Sequence, residues 1–133
     1  MKKSKSIILF FLFILSSCGS NEPALDGTSQ AVSTTLSVGT SSVSIGKSAS
    51  SSYISVSSNT DWTVYVNNSG SSINDLDVSP LSGTNDGTVK VKYGAVATTY
   101  YSSQQAVVTF FYYSNGYKQS KSVSIQRKGS YPW

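Results

Sequence analysis

The stretch A-V-V-T-F-F-Y-Y-S-N-G-Y-K-Q-S-K-S-V-S-I, residues 106–125, decides the fold. Asn115-Gly116 is a two-residue hairpin turn of type I′, because both residues tolerate the positive φ that this turn demands. Closing the hairpin there pairs Ser114 with Tyr117, and each step outward adds one pair. Val108 then faces Val123, and Ala106 faces Ile125. Both apolar pairs fall on one face, as a single register requires. The same register sets Phe110 opposite Lys121 and Tyr112 opposite Gln119. The core face is therefore expected to fade toward the tip, with the hairpin projecting past the rest of the domain. On the other face Phe111 meets Ser120 and Tyr113 meets Lys118.

Working back from the hairpin, period-2 alternation recurs between Gly, Asn, Asp and Pro breaks. Its members are Leu36 and Val38; Val43 and Ile45; Ile54 and Val56; Trp62, Val64 and Val66; Leu76 and Val78; and Val89, Val91 and Tyr93. With the hairpin, this predicts an all-β chain: an immunoglobulin-like β-sandwich of about seven antiparallel strands. Trp62 supplies core bulk in place of an inter-sheet disulfide. In such an order the Trp62 strand lies beside the first hairpin strand. Tyr65, opposite in parity to Trp62 and Val64, then points outward with Phe111 and Tyr113. These three predict an exposed aromatic strip, with Tyr117 at the hairpin tip and Tyr100 and Tyr101 in the preceding loop. The alternative is that these aromatics are simply strand formers.

The chain has no histidine and a single cysteine, Cys18. Histidine-based triads and an internal disulfide are excluded. Carboxylates alone could support glycoside hydrolysis, and the candidates are Glu22 in the tether with Asp26, Asp61, Asp75, Asp77 and Asp86, but several of these sit beside turn formers, where Asp satisfies backbone groups. Asp75, Asp77 and Asp86 would suit calcium, yet they lack the spacing and glycine of an EF-hand loop. No enzyme activity, metal or cofactor is expected. From Cys18 onward seven Lys/Arg face six Asp/Glu, which leaves no basic footprint for nucleic acid.

The first 18 residues point to a compartment. Lys2, Lys3 and Lys5 precede the nine apolar residues Ile7–Leu15, and L-S-S-C follows at 15–18. A basic, apolar, small-residue succession of this kind reads as a secretory signal. Nine residues rise only about 13 Å as a helix, too short to span a hydrocarbon core of about 30 Å. The cut before a cysteine resembles a bacterial lipoprotein signal, which implies acylation of Cys18 and stable attachment to a membrane through several chains. The expected organisation is a signal peptide at 1–17, a lipidated cysteine and flexible tether at 18–33, and a domain at 34–133.

S-N-T-D-W-T-V-Y-V at 58–66, followed by D-V-S-P-L-S-G-T-N-D-G-T-V-K-V at 77–91, resembles the BACON domain, an immunoglobulin-like module of Bacteroidota. L-S-V and S-V-S-I-G at 36–46, A-V-V-T-F and K-S-V-S-I-Q extend the resemblance over roughly residues 34–128. The chain departs from that pattern in three places. Asp75 stands where a second Trp is common, Gln104-Gln105 where an Arg often precedes a strand, and Arg127-Lys128 where small residues usually follow. The resemblance implies a role in binding carbohydrate or mucin.

Two functions follow as expectations. One is a non-catalytic, envelope-anchored lipoprotein that binds glycan or mucin through Tyr65, Phe111, Tyr113 and Tyr117, with Asn115, Lys118 and Gln119 as polar neighbours. The alternative is a structural or assembly protein that docks onto another envelope protein through the same aromatics or through Tyr131-Pro132-Trp133. Acidic residues soon after Cys18 are similar to a Bacteroidota signal for export to the outer leaflet. Glu22 and Asp26 therefore favour the cell surface over the periplasmic face of the outer membrane.

Overall fold

The structure, a computed structural model, describes residues 32–130. The signal peptide, Cys18, most of the tether and Tyr131-Pro132-Trp133 lie outside the described residues. Among the described residues nine strands form two packed sheets. They are β1 (Leu36–Val38), β2 (Ser42–Ser44), β3 (Ser50–Ser58), β4 (Asp61–Asn67), β5 (Asp77–Ser79), β6 (Ser82–Thr84), β7 (Gly87–Tyr93), β8 (Gln104–Ser114) and β9 (Tyr117–Arg127). One sheet has the order β2-β9-β8-β4-β6 and the other β1-β3-β7-β5. This is an immunoglobulin-like β-sandwich.

The hairpin register is the one that Asn115-Gly116 imposes: Val108 faces Val123 and Ala106 faces Ile125. Asn115 and Gly116 have φ of 53° and 80°, as a type I′ turn requires. The inner face behaves asymmetrically. Phe110 is fully buried and Tyr112 packs partly against the core, whereas Lys121 and Gln119 opposite them are exposed. Burial thus fades toward the tip on β9, as expected, but persists further along β8. The incoming chain explains part of this, since the Ser114 hydroxyl donates to the Thr34 carbonyl at 3.3 Å.

Two details refine the expected fold. Among the described residues there are nine strands where about seven were expected, partly because β6 holds only Ser82, Gly83 and Thr84 and shows no apolar alternation. And the sandwich is not wholly antiparallel, since β2 runs parallel to the end of β9 with Val43 beside Ile125.

The core joins Leu36, Ile54, Val56, Val89 and Val91 of one sheet to Val108, Phe110, Val123 and Ile125 of the other. Trp62 sits among them, 3% exposed, with its ring centroid 6.0 Å from that of Phe110. Its indole N–H donates to the Asn85 carbonyl at 2.8 Å. Gly83 lies directly opposite Trp62, and a Cβ there would overlap the indole. The S-G-T-N-D-G segment is therefore the wall of the Trp62 pocket. The other polar residues of this region hold its turns. Asp61 accepts from the Thr84 hydroxyl at 2.7 Å, and Asp86 accepts from the Ser58 N–H at 2.8 Å. Asn59 fixes the arriving chain, accepting from the Thr35 N–H and donating to the Ser33 carbonyl, each at 2.9 Å.

The strands line up so that the sandwich has two ends. Ser33–Leu36, the start of β4 and the Asn115-Gly116 turn share one end. The ends of β7 and β9 and the start of β8 share the other.

Candidate functional site: an outward aromatic strip and a polar cleft

β4 pairs with β8, with Thr63 opposite Phe111 and Tyr65 opposite Thr109. Side chains alternate across a strand, so Tyr65, Phe111 and Tyr113 share the outer face of the five-stranded sheet. Tyr65 and Tyr113 are each 60% exposed. Tyr113 lies four residues beyond the level of Tyr65, about 13 Å along the strand. Phe111 stands between them and is half-buried, because the Lys118 ammonium lies 4.1 Å from its ring centre. That cation–π contact occupies one face of Phe111. No ring–ring contact links the three aromatics. Around them the face carries hydroxyls, including Thr109 and Ser122, whose oxygens are 3.1 Å apart.

Tyr117 does not belong to this strip. It pairs with Ser114 and so takes the parity of Tyr112 and Gln119 on the inner face, beyond the core and 74% exposed. A residue at a hairpin tip is close to both faces in sequence, but the pleat gives it only one. Of Tyr100 and Tyr101, the former is exposed and the latter pairs with Ser130 at the opposite end. Asn115, Gln119 and Lys118 are all exposed, but only Lys118 has the parity of the strip.

Asp75, Asp77 and Asp86 are not gathered into a calcium site: among the described residues no three acidic, histidine or cysteine side chains cluster. Asp77 faces Lys92 across β5 and β7, while Asp86 is engaged by Ser57 and Ser58 at the hairpin end.

The residue that sequence reasoning missed is Arg127. It is 1% exposed, the one charged side chain buried among the described residues. Its Nε donates to the Gly46 carbonyl at 2.8 Å, Nη1 to Gln104 Oε1 at 2.7 Å and Nη2 to the Gly94 carbonyl at 2.6 Å. The guanidinium also lies 5.7 Å from the Tyr93 ring centre. Gln104, held in turn by Asn74 at 2.9 Å, stands where the resemblance would have an Arg. The sequence signal was the joint departure at Gln104 and Arg127. Beside this group opens a polar cleft of about 490 Å³.

No protein-family model matches the chain, and no curated protein matches it in sequence. Solved structures share its fold. A Bacteroides ovatus GH5 xyloglucanase, solved with a XXXG heptasaccharide, aligns with 71% of this chain at TM-score 0.56 and 16% identity. The periplasmic chaperone SfaE aligns over 71% at TM-score 0.56 and 9% identity, and the E. coli chaperone DraB over 71% at 0.53 and 10%. The chain spans 19% of the xyloglucanase chain and 57% and 54% of the two chaperones. At these identities the likeness is one of fold.

Proposed function

We propose that this is a non-catalytic glycan- or mucin-binding module, similar to a BACON domain and held at the outer membrane through an acylated Cys18. The observation that carries this reading is the pair of exposed tyrosines, Tyr65 and Tyr113, on the outer sheet face with Phe111 between them. Sugar rings stack their apolar faces on exposed aromatics, and hydroxyl-bearing neighbours orient the rest of the ring. The alignment with a domain-sized part of a xyloglucanase is consistent with a module of glycan-handling proteins. The acidic residues near Cys18 favour the cell-surface leaflet.

The test is binding of the full chain, in detergent, to immobilised mucin and to plant and host glycans. Binding by the parent, lost in a folded Tyr65→Ala/Tyr113→Ala variant, supports the strip. Binding that the variant retains, or silence across the panel, removes it.

A second reading, docking onto another envelope protein, is favoured by a different observation. β2 covers β9 only at Ser124–Gln126, so residues 117–122 of β9 present an unpaired strand edge. Such an edge is a template for an added strand. A stable complex reproduced by cross-linking at Lys118 and Lys121 would favour this reading.

A further inference from the structure

The end of the sandwich opposite the hairpin carries a site that the aromatic strip does not use. The cleft beside Arg127 has a volume of about 490 Å³, within the range of small-ligand sites, roughly 300–1,000 Å³. Apart from Ile45 its walls are hydroxyls and amides, among them Ser71, Ser103, Gln105 and Gln126, and its cations are Arg127 and Lys128. No Asp or Glu lines it. A lining of this kind suits a hydroxylated ligand better than an apolar one.

The charge balance is the informative part. Arg127 spends its hydrogen bonds on two carbonyls and one amide, all neutral oxygens. Asp75 lies against Gly94, yet makes no ion pair with Arg127. A buried guanidinium with no carboxylate bonded to it lies in a medium that screens its charge poorly. The Tyr93 ring offsets only a fraction of it. The remaining field reaches the adjoining cleft, where Lys128, exposed at its rim, adds a second positive charge.

We propose that this cleft binds the acidic unit of a saccharide, a sugar bearing a carboxylate or a sulfate. Arg127 is too buried to touch the ligand and acts through its charge. The Lys128 ammonium meets the anionic group directly, and the Gln105 and Gln126 amides meet the ring hydroxyls. The site is separate from the aromatic strip and stands or falls without it.

The test is an NMR titration of the ¹⁵N-labelled full chain in detergent, with glucuronate, glucose 6-sulfate, glucose and inorganic sulfate as separate probes. The expected result is amide shifts at Gln105, Gln126 and Lys128 with one or both acidic sugars, and none there with glucose. Which acidic sugar responds decides between carboxylate and sulfate. Lys128→Glu should weaken that binding roughly tenfold, the worth of one lost charge-assisted hydrogen bond, and leave the rest of the spectrum unchanged. Inorganic sulfate binding as tightly as the sugars would overturn the saccharide assignment. Shifts confined to Tyr65, Phe111 and Tyr113, or a response that Lys128→Glu leaves intact, would overturn the site while leaving the strip untouched.

Discussion

Arg127 shows how one side chain ties together three parts of the chain. Its fork reaches the turn after β2, the end of β7 and the start of β8. Lysine has a point charge and cannot reproduce that geometry. Arg127→Lys should therefore leave at least one buried acceptor without a donor, at a cost of about 1–3 kcal/mol for each acceptor orphaned. Urea denaturation would measure it as a lower midpoint at unchanged slope. Trp62 is the counterpart at the other end. Gly83→Ala places a methyl group into its indole, and overpacking of this kind costs about 1–3 kcal/mol. Near-UV circular dichroism should show the indole environment altered, and thermal melting the lost stability. If Gly83→Ala proves neutral, the Trp62 pocket is looser than its geometry indicates.

At the scale of elements, β1 is the strand with most to lose. It is three residues long, and its approach is fixed by the side chain of Asn59. Asn59→Ala removes two hydrogen bonds, worth about 0.5–1.5 kcal/mol each. Hydrogen exchange should rise at Leu36–Val38 and stay unchanged in β8 and β9. The hairpin was legible in the sequence because Asn115-Gly116 fixes the register locally and apolar alternation fixes the face. The aromatic strip was legible for the same reason, apart from Tyr117, whose position next to the turn concealed its parity. β6 was not legible. Its place in the sheet is set by Gly83 facing the Trp62 indole, a contact across 21 positions that leaves no alternation behind. The parallel pairing of β2 with β9 joins residues some 80 positions apart, and short apolar pairs carry no label for such partners. Arg127 was half hidden: the joint departure at Gln104 and Arg127 marks the pair, but a Gln-Arg-Lys-Gly run reads as solvated, and its burial shows only in the converging carbonyls of Gly46 and Gly94.

The sandwich is polarised along its strands. One end receives Ser33–Leu36 and carries the hairpin; the other carries Arg127 and the cleft beside it. Under the lipid-anchored reading, Cys18→Ala should leave the protein unacylated and move it from the membrane to the soluble fraction, which mass spectrometry and fractionation would check. The bond between the Ser114 hydroxyl and the Thr34 carbonyl then acquires a mechanical meaning. Tyr113 is the residue next to Ser114, and Ser33, the last residue of the expected tether, is held by the Asn59 side chain. A polymer gripped at Tyr113 and a lipid pulling upstream of Ser33 would strain a path only a few residues long. Tension would pass through Ser114, Thr34 and Asn59, and the sandwich beyond them, the Arg127 cleft included, would hang unloaded.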